Sequence, residues 1–402
     1  MTETPAPPWL SIIGIGEDGL DGLSAAARDA LDRAELVIGA TRHLGLLPPL
    51  KGDSRAWPVP FDAGIAPLLA ERGRRVVLLA SGDPFWFGAG SSVTRYLDRD
   101  EWIAHPAPST FGLAASRLGW SLEDTVCLGL HAAPLSRLRP HLALGRRVLV
   151  LVRDGAAVAD LAHYLVEQGF GASTLTVLEA LGGPRERVRS GTAEGLQHTN
   201  ITNLVTVGIE CAGEGAILQL ASGRPDEWFQ HDGQISKRPV RALTLSALAP
   251  RPGERLWDIG TGSGSIAIEW LLAHPAMQAT GFEADAARAA RARDNARALG
   301  ADRLAVVEGR APDALAGQAL PDAVFIGGGL NDALLETLWA VLRPGTRLVA
   351  NAVTLESEAV LAQWHGDKGG SLLRIDLAEA APLGTRRGWK AHYPLVQWSV
   401  TL

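Results

Sequence analysis

The sequence predicts an α/β protein built from two successive domains. Along its 402 residues, short apolar runs alternate with glycine-bearing turns and apolar-periodic helical segments, as a parallel sheet with crossover helices requires. A chain of that length exceeds one ordinary core and divides into two or three domains. With 47% hydrophobic and 20% charged residues the composition is that of a globular enzyme. A net charge of −6 with no basic tract argues against nucleic acid as a partner. Cys127 and Cys211 lack metal-type spacing, so they read as buried thiols in a reducing, cytoplasmic compartment, and no metal is expected. No apolar run approaches the length of a membrane span. The opening MTETPAPPWLSIIGIG places an acid and three prolines ahead of its short apolar run, unlike a signal peptide.

LSIIGIG, Leu10 to Gly16, reads as the first strand, and Ser24 as the N-cap of the helix SAAARDALDRA. ELVIGATRHLGLLPPL follows as a strand ending in a polar loop with Arg42 and His43. In RRVVLLASGDPFWFGAGSSVTRYL, Val76 to Ala80 form a buried strand, and Ser81-Gly82-Asp83-Pro84 is the loop beyond its carboxyl end, where open α/β sheets bind ligands. Pro84 biases Asp83 toward an extended backbone that can aim its carboxylate into a cleft. A plain Asp-Pro turn explains the same residues equally well. Gly88 and Gly90 admit a close-packed backbone before a helix from Ser91. Further on, RRVLVLVRDG and STLTVLEALGG read as strands flanking the helix AVADLAHYLVEQGF, and TNLVTVGIE as another strand. The polar segment Ser222 to Gln234 reads as a linker.

The second half is organised around Asp258 to Glu269, DIGTGSGSIAIE: a strand from Arg255, a turn through Gly260, Thr261, Gly262, Ser263 and Gly264, and a helix start. The glycines let the backbone come close to a ligand, and the helix N-terminus offers free N–H groups, so a nucleotide-like cofactor fits. A dinucleotide fingerprint requires a third glycine where Ser265 stands, which disfavours NAD. Glu283, 23 residues after Gly260, closes the next strand, placed to take ribose hydroxyls. The glycines alone would also suit any strand-to-helix turn. The helix AARAARARDNARALG, the strand RLAVVEG with Gly309, Arg310 and Ala311 after it, and the strand in PDAVFIGGGLND follow. The DIGTGSG turn resembles that of class I S-adenosylmethionine methyltransferases, which implies that Gly328, Gly329, Asn331 and Asp332, at the end of this fourth strand, face the transferring methyl. Equally, Asn331 and Asp332 cap the helix ALLETLWAVL. TRLVANAVTLESEAVLAQW supplies a fifth strand and a helix, and PLVQWSVTL an antiparallel edge strand.

Three of these stretches carry a family resemblance. DIGTGSG resembles the D-x-G-x-G-x-G signature of class I S-adenosylmethionine methyltransferases. WLSIIGIGEDGLDGLS, SGDPFWFGAG and APSTFGLAASRLGWSLEDTVCLGLH resemble the tetrapyrrole (corrin/porphyrin) methylase family over roughly residues 9 to 230. ISKRPVRALTLSAL resembles the opening of the class I decarboxylating precorrin methyltransferases. The resemblance implies a tetrapyrrole methylase domain at 1–233, with subdomains at about 9–106 and 107–225, and a class I, Rossmann-like methyltransferase domain at 234–402. It carries over Gly82, Asp83, Trp86, Thr110 and Phe111 as donor contacts in the first domain. In the second it implies Ser236, Asp258, Gly260, Thr261, Gly262, Ser263, Gly264, Glu283, Gly309, Arg310 and Ala311. Two positions depart from the families: Glu17-Asp18 stands where many relatives have Pro-Gly, and Ser236 where they have threonine.

The activity so implied is methylation of precorrin-6Y at carbons 5 and 15, with loss of the ring C acetate carboxylate, giving precorrin-8X. One S-adenosylmethionine serves each domain, with no metal or pyridoxal. The first domain is implied for carbon 5, and the second for carbon 15 and the decarboxylation. The acceptor carries many carboxylates, so arginines should line its cleft, and Arg386, Arg387 and Lys390 in GTRRGWKAH are the candidates. Relatives of both halves associate, so a homo-oligomer is implied. The alternatives are the same chemistry on the cobalt-bearing macrocycle, an NAD-dependent oxidoreductase, and a scaffold in which one domain has lost its donor.

Overall fold

The computed structural model describes residues 8–402; the segment before Pro8, with the acid and two of the prolines weighed above, lies outside the described residues. The chain forms two compact units, one of the residues up to Leu135 with His141–Ala216, the other of Ser136–Pro140 with Ile217–Leu402.

The first unit contains two five-stranded sheets. Strands β1 (Leu10–Ile15), β2 (Leu36–Gly39), β3 (Asp53–Ala56), β4 (Val76–Ser81) and β5 (Trp102–His105) make a parallel sheet in the order β3-β2-β4-β1-β5. Ser24 caps the helix Ala25–Asp32 by accepting the Ala27 N–H at 3.2 Å. Beyond β2 the chain does not enter a polar loop: Thr41–Leu44 form a helical turn, and His43 is buried beneath it. The second sheet, in the order β6-β7-β10-β8-β9, joins β6 (Thr125–Gly129), β7 (Arg147–Leu151), β8 (Thr174–Glu179), β9 (Arg187–Thr192) and β10 (Val205–Glu210). Only β6 and β7 pair in parallel; β10 runs antiparallel to both of its neighbours.

The second unit carries one seven-stranded sheet, β13-β12-β11-β14-β15-β19-β16. Strands β11 (Arg255–Ile259), β12 (Gln278–Glu283), β13 (Ala305–Glu308), β14 (Ala323–Ile326) and β15 (Arg347–Ala352) are parallel. The strand order reverses between β11 and β14, which opens a crevice at their carboxyl ends. The last strand, β19 (Leu395–Thr401), is antiparallel as expected but is not an edge strand. It lies between β15 and β16 (Ser371–Ile375), and Trp398 is fully buried in it. A separate ribbon pairs β17 (Ala378–Leu383) with β18 (Arg386–Ala391).

The segment from Ser222 to Gln234 is packed rather than loose. Phe229 is buried in the second unit's core. The Glu269 carboxylate, on the helix Ser265–Ala273, accepts the Gly223 and Arg224 N–H groups at 2.7 and 2.9 Å. The same carboxylate meets the fully buried Arg241 at 2.6 Å, so a segment of linker-like composition has its backbone satisfied by a buried ion pair.

Candidate functional site

In the second unit the site grows from the end of β11. Gly260 takes φ +73°, and a Cβ there would stand 2.7 Å from the Gly328 nitrogen, so only glycine lets the two loops at the crevice meet. Gly262 donates its N–H to Glu283 Oε2 at 2.9 Å, and the Asp285 N–H reaches Glu283 Oε1 at 3.0 Å. The carboxylate closing β12 is thereby fixed beside the glycine turn. Asn295 braces the turn from behind, its Nδ2 donating to the Ser263 carbonyl at 2.8 Å and to the Gln230 carbonyl at 2.9 Å.

Asp258 is 1% exposed. Its Oδ2 accepts from Thr261 Oγ1 at 2.8 Å and the Ala267 N–H at 3.2 Å, while Oδ1 is buried without a hydrogen-bond partner. Burial pushes this carboxyl up to about 6, against those two hydrogen bonds. An unpartnered carboxylate oxygen against a glycine turn fits a ligand that brings positive charge or a donor group.

These residues line a cavity of about 930 Å³. Ser236, Asp258, Gly260, Thr261, Gly262, Ser263, Glu283, Gly309, Arg310 and Ala311 all lie on its wall; Gly264 does not. A side chain at Gly264 would press on Ala292, so this glycine serves helix packing. Sequence reasoning missed the opposite wall: Asn351, Thr354, Leu377, His392 and Tyr393, with Lys237 and Arg288 at other points of the lining. Asn351 is held by a buried set in which its Nδ2 donates to Thr244 Oγ1 at 2.9 Å and Gln397 donates to its Oδ1 at 2.9 Å.

Of the residues expected to face the acceptor, Gly328 and Gly329 lie on the cavity wall and the others do not. Asn331 caps the helix Asp332–Val341 by accepting the Leu334 N–H at 2.9 Å, and Asp332 accepts from the Trp364 indole at 2.8 Å. Arg386, Arg387 and Lys390 sit on the exposed ribbon strand β18, off the cavity wall, although His392 just beyond that strand is on it.

The first unit has a second, smaller pocket, about 330 Å³, between its two sheets. Gly82, Asp83, Trp86, Thr110 and Phe111 line it together. Gly14 on β1 makes room: a Cβ there would overlap the Gly82 carbonyl, and Gly82 itself has φ +52°. Asp83 Oδ1 accepts the Phe85 N–H at 2.8 Å, closing the loop on itself. The Trp86 and Phe111 rings pack 5.2 Å apart at the start of the helix Thr110–Leu118, which Ser109 caps. Further polar residues share the wall: Glu17, Arg42, Ser81, His131 and Arg153. Glu17, where the family resemblance departs, accepts from Arg42 at 3.2 Å and from Arg185 at 2.9 Å.

Among the described residues no group of three or more His, Cys, Asp or Glu is arranged to hold a metal, and no helix is long and apolar enough to cross a membrane. Both cysteines are free thiols.

Comparison with known proteins matches each half to a family. Residues 10–197 match the family described as Tetrapyrrole (Corrin/Porphyrin) Methylases, and residues 227–402 that described as Precorrin methyltransferase domain. Over 398 residues the chain is 53% identical to a precorrin-6Y C(5,15)-methyltransferase [decarboxylating] of Sinorhizobium sp, covering 98% of this chain and 96% of that one. It is 41% identical over 397 residues to the protein of the same description from Mycobacterium tuberculosis, covering 97% and 99%. Among solved structures, the C-terminal domain of precorrin-6Y C5,15-methyltransferase from Rhodobacter capsulatus is 54% identical, covering 46% of this chain and all of that one, with a TM-score of 0.45.

Proposed function

The chain belongs to the precorrin-6Y C(5,15)-methyltransferase (decarboxylating) family, and from that premise we propose that it methylates precorrin-6Y at carbons 5 and 15 with loss of the ring C acetate carboxylate. The observation that carries this reading is the presence in one chain of two unlike glycine-lined pockets, each at the carboxyl ends of a parallel set of strands. Each takes one S-adenosylmethionine. The N-terminal domain acts at carbon 5, and the C-terminal domain acts at carbon 15 and on the acetate; the separate family matches of residues 10–197 and 227–402 support two domains with separate work.

When bound, S-adenosylmethionine supplies a methyl group on a sulfonium whose departure leaves a neutral thioether, so the transfer needs little acid-base help. The protein's work is to align the reacting atoms and exclude water. In the second unit the glycine turn and Glu283 hold the donor's methionine and ribose ends, Gly309 to Ala311 cover the adenine, and buried Asp258 supplies negative charge beside a cationic ligand. In the first, Gly82, Asp83, Trp86, Thr110 and Phe111 do the same work. Lys237, Arg288 and Arg310 around the larger cavity, and Arg42 and Arg153 around the smaller, face a polyanionic acceptor. Arg386 and Arg387 meet those of its carboxylates that stand beyond the wall. We place the protein in the cytoplasm, in keeping with its free thiols, and as a homo-oligomer, as the family resemblance implies.

Mass spectrometry of the product tests the reading. The full chain given precorrin-6Y and S-adenosylmethionine should add two methyl groups and remove one carbon dioxide. A product without added methyl, or a melting temperature raised by NADH and not by S-adenosylmethionine, overturns it.

A further inference from the structure

His43 has no place in the scheme above, yet it is buried directly behind the donor loop of the first unit. Its Nε2 lies 3.1 Å from Ser81 Oγ, and Ser81 is the exposed last residue of β4, on the pocket wall. Arg42 Nη2 donates to the same oxygen at 2.5 Å, and Arg42 is itself held by Glu17 at 3.2 Å. An arginine can only donate, so in the tautomer that carries its proton on Nδ1 the imidazole Nε2 is free to accept the Ser81 hydroxyl hydrogen. Burial, then the neighbouring Arg42 charge, push His43 down to about 4, against a contact with the Leu79 backbone. The ring is therefore neutral near pH 7, with Nε2 able to accept. The result is a chain of hydrogen bonds from the pocket surface to a buried imidazole, with the Arg42 guanidinium donating to the oxygen between them and fixing its orientation.

Methylation at a bridging carbon supplies a use for it. When a =CH– carbon of the macrocycle attacks the donor, a C–C bond forms as the S–CH3 bond breaks, and the thioether leaves with the electron pair of that bond. The carbon then carries both a hydrogen and a methyl group, and the ring system has gained one positive charge. Conjugation and neutrality return when the C–H bond breaks, its electron pair enters the ring, and the proton goes to a base. We infer that Ser81 and His43 form the relay that takes this proton, Ser81 Oγ receiving it from the carbon as its own hydrogen passes to His43 Nε2. The assignment rests on the first unit acting at carbon 5. Ser81 is the group that meets the substrate; His43 is a positioning residue and proton acceptor acting through it, and Glu17 positions Arg42.

The test uses the full chain in single turnover, with precorrin-6Y carrying deuterium at its bridging carbons, and compares Ser81→Ala and His43→Asn with the wild type. Carbon 15 methylation and carbon dioxide release in the same molecule are the internal control for folding. The relay predicts that both variants slow completed substitution at carbon 5 by about a hundredfold or more. It also predicts a larger deuterium isotope effect than in the wild type, because proton loss becomes limiting, while donor binding and carbon 15 chemistry are unchanged. Wild-type rates at carbon 5 in Ser81→Ala, or slowing with no rise in the isotope effect, would overturn the relay and leave a structural hydrogen bond. A wild type that methylates carbon 15 but never carbon 5 removes the functional reading of the first unit itself, and is told apart from failure of the relay by that absence.

Discussion

Glu283 Oε2 accepts the N–H of Gly262 at 2.9 Å, joining the carboxylate that closes β12 to the glycine turn that follows β11. One side chain thus fixes the turn and faces the cavity. Glu283→Ala removes a charge-assisted bond worth about 1.5–3 kcal/mol and the groups proposed to hold the ribose, so donor affinity at the second-unit site should fall by roughly tenfold to a hundredfold. Calorimetry on the full chain should still find the first-unit site unaltered. Unchanged affinity at both sites would contradict the assignment of Glu283.

Asp258 makes donor binding depend on pH in a stated direction. Its carboxyl is raised to about 6, chiefly by burial, so the folded state holds its proton more tightly than the unfolded chain does. Stability from the neutral form is full at low pH and is lost as pH rises from about 4 to about 6. At pH 7, Asp258→Asn should therefore stabilise the unliganded chain, by an amount on the order of 2 kcal/mol that vanishes below about pH 4. A cationic donor favours the ionised form, so affinity at this site should fall as pH drops through about 6, and the asparagine variant should lose that dependence. Titration calorimetry between about pH 5 and pH 7.5 reads both; a wild-type affinity flat across that range would count against the role given to Asp258.

Asn295 joins the glycine turn to the segment before the second unit's first helix. It accepts the Gln230 N–H and donates to the carbonyls of Gln230 and Ser263, all at 2.8–2.9 Å, and is itself buried. Asn295→Ala leaves those groups without partners at a cost of about 2 kcal/mol, lowering Tm by roughly 4–8 °C. Scanning calorimetry should place the loss in the second unit's transition, with weaker donor binding alongside it. An unshifted Tm would mean that water replaces the side chain.

The surface residues separate two roles. Asn331→Ala should cost about 1 kcal/mol of stability through its lost cap and leave turnover at carbon 15 unchanged. Replacing Arg386 and Arg387 together with alanine should raise KM for the acceptor while donor affinity stays constant. If steady-state kinetics show no change in KM, those two charges are solvated surface.

Much of the larger site was legible because its chemistry is local. Gly260, Gly262, Asp258 and Glu283 sit at the ends of strands with strong apolar runs, and their spacing alone brings them together. The polar and very short strands were not legible: β3 and β9 lack an apolar run and are held by pairing within their sheets rather than by deep burial, and the apolar run of β5 is only Trp102 to Ala104. Asn351 on β15 is held by Gln397 of β19, and His392 and Tyr393 lie just before β19, whose insertion between β15 and β16 rather than at the edge no local pattern encodes. The burial of His43 beneath a helical turn was hidden for a related reason, since its partner Ser81 lies 38 residues away. Glu269 disguised a packed segment as a linker, because a buried carboxylate satisfying backbone N–H groups leaves no trace in the composition of the segment it holds.

The account stands on two donor pockets in one polypeptide, and counting bound S-adenosylmethionine tests that most directly. Equilibrium dialysis of the full chain against labelled S-adenosylmethionine should saturate at two molecules per chain, falling to one in Glu283→Ala at donor concentrations that still fill the first unit. Saturation of the unaltered chain at one molecule, or at none, would contradict it.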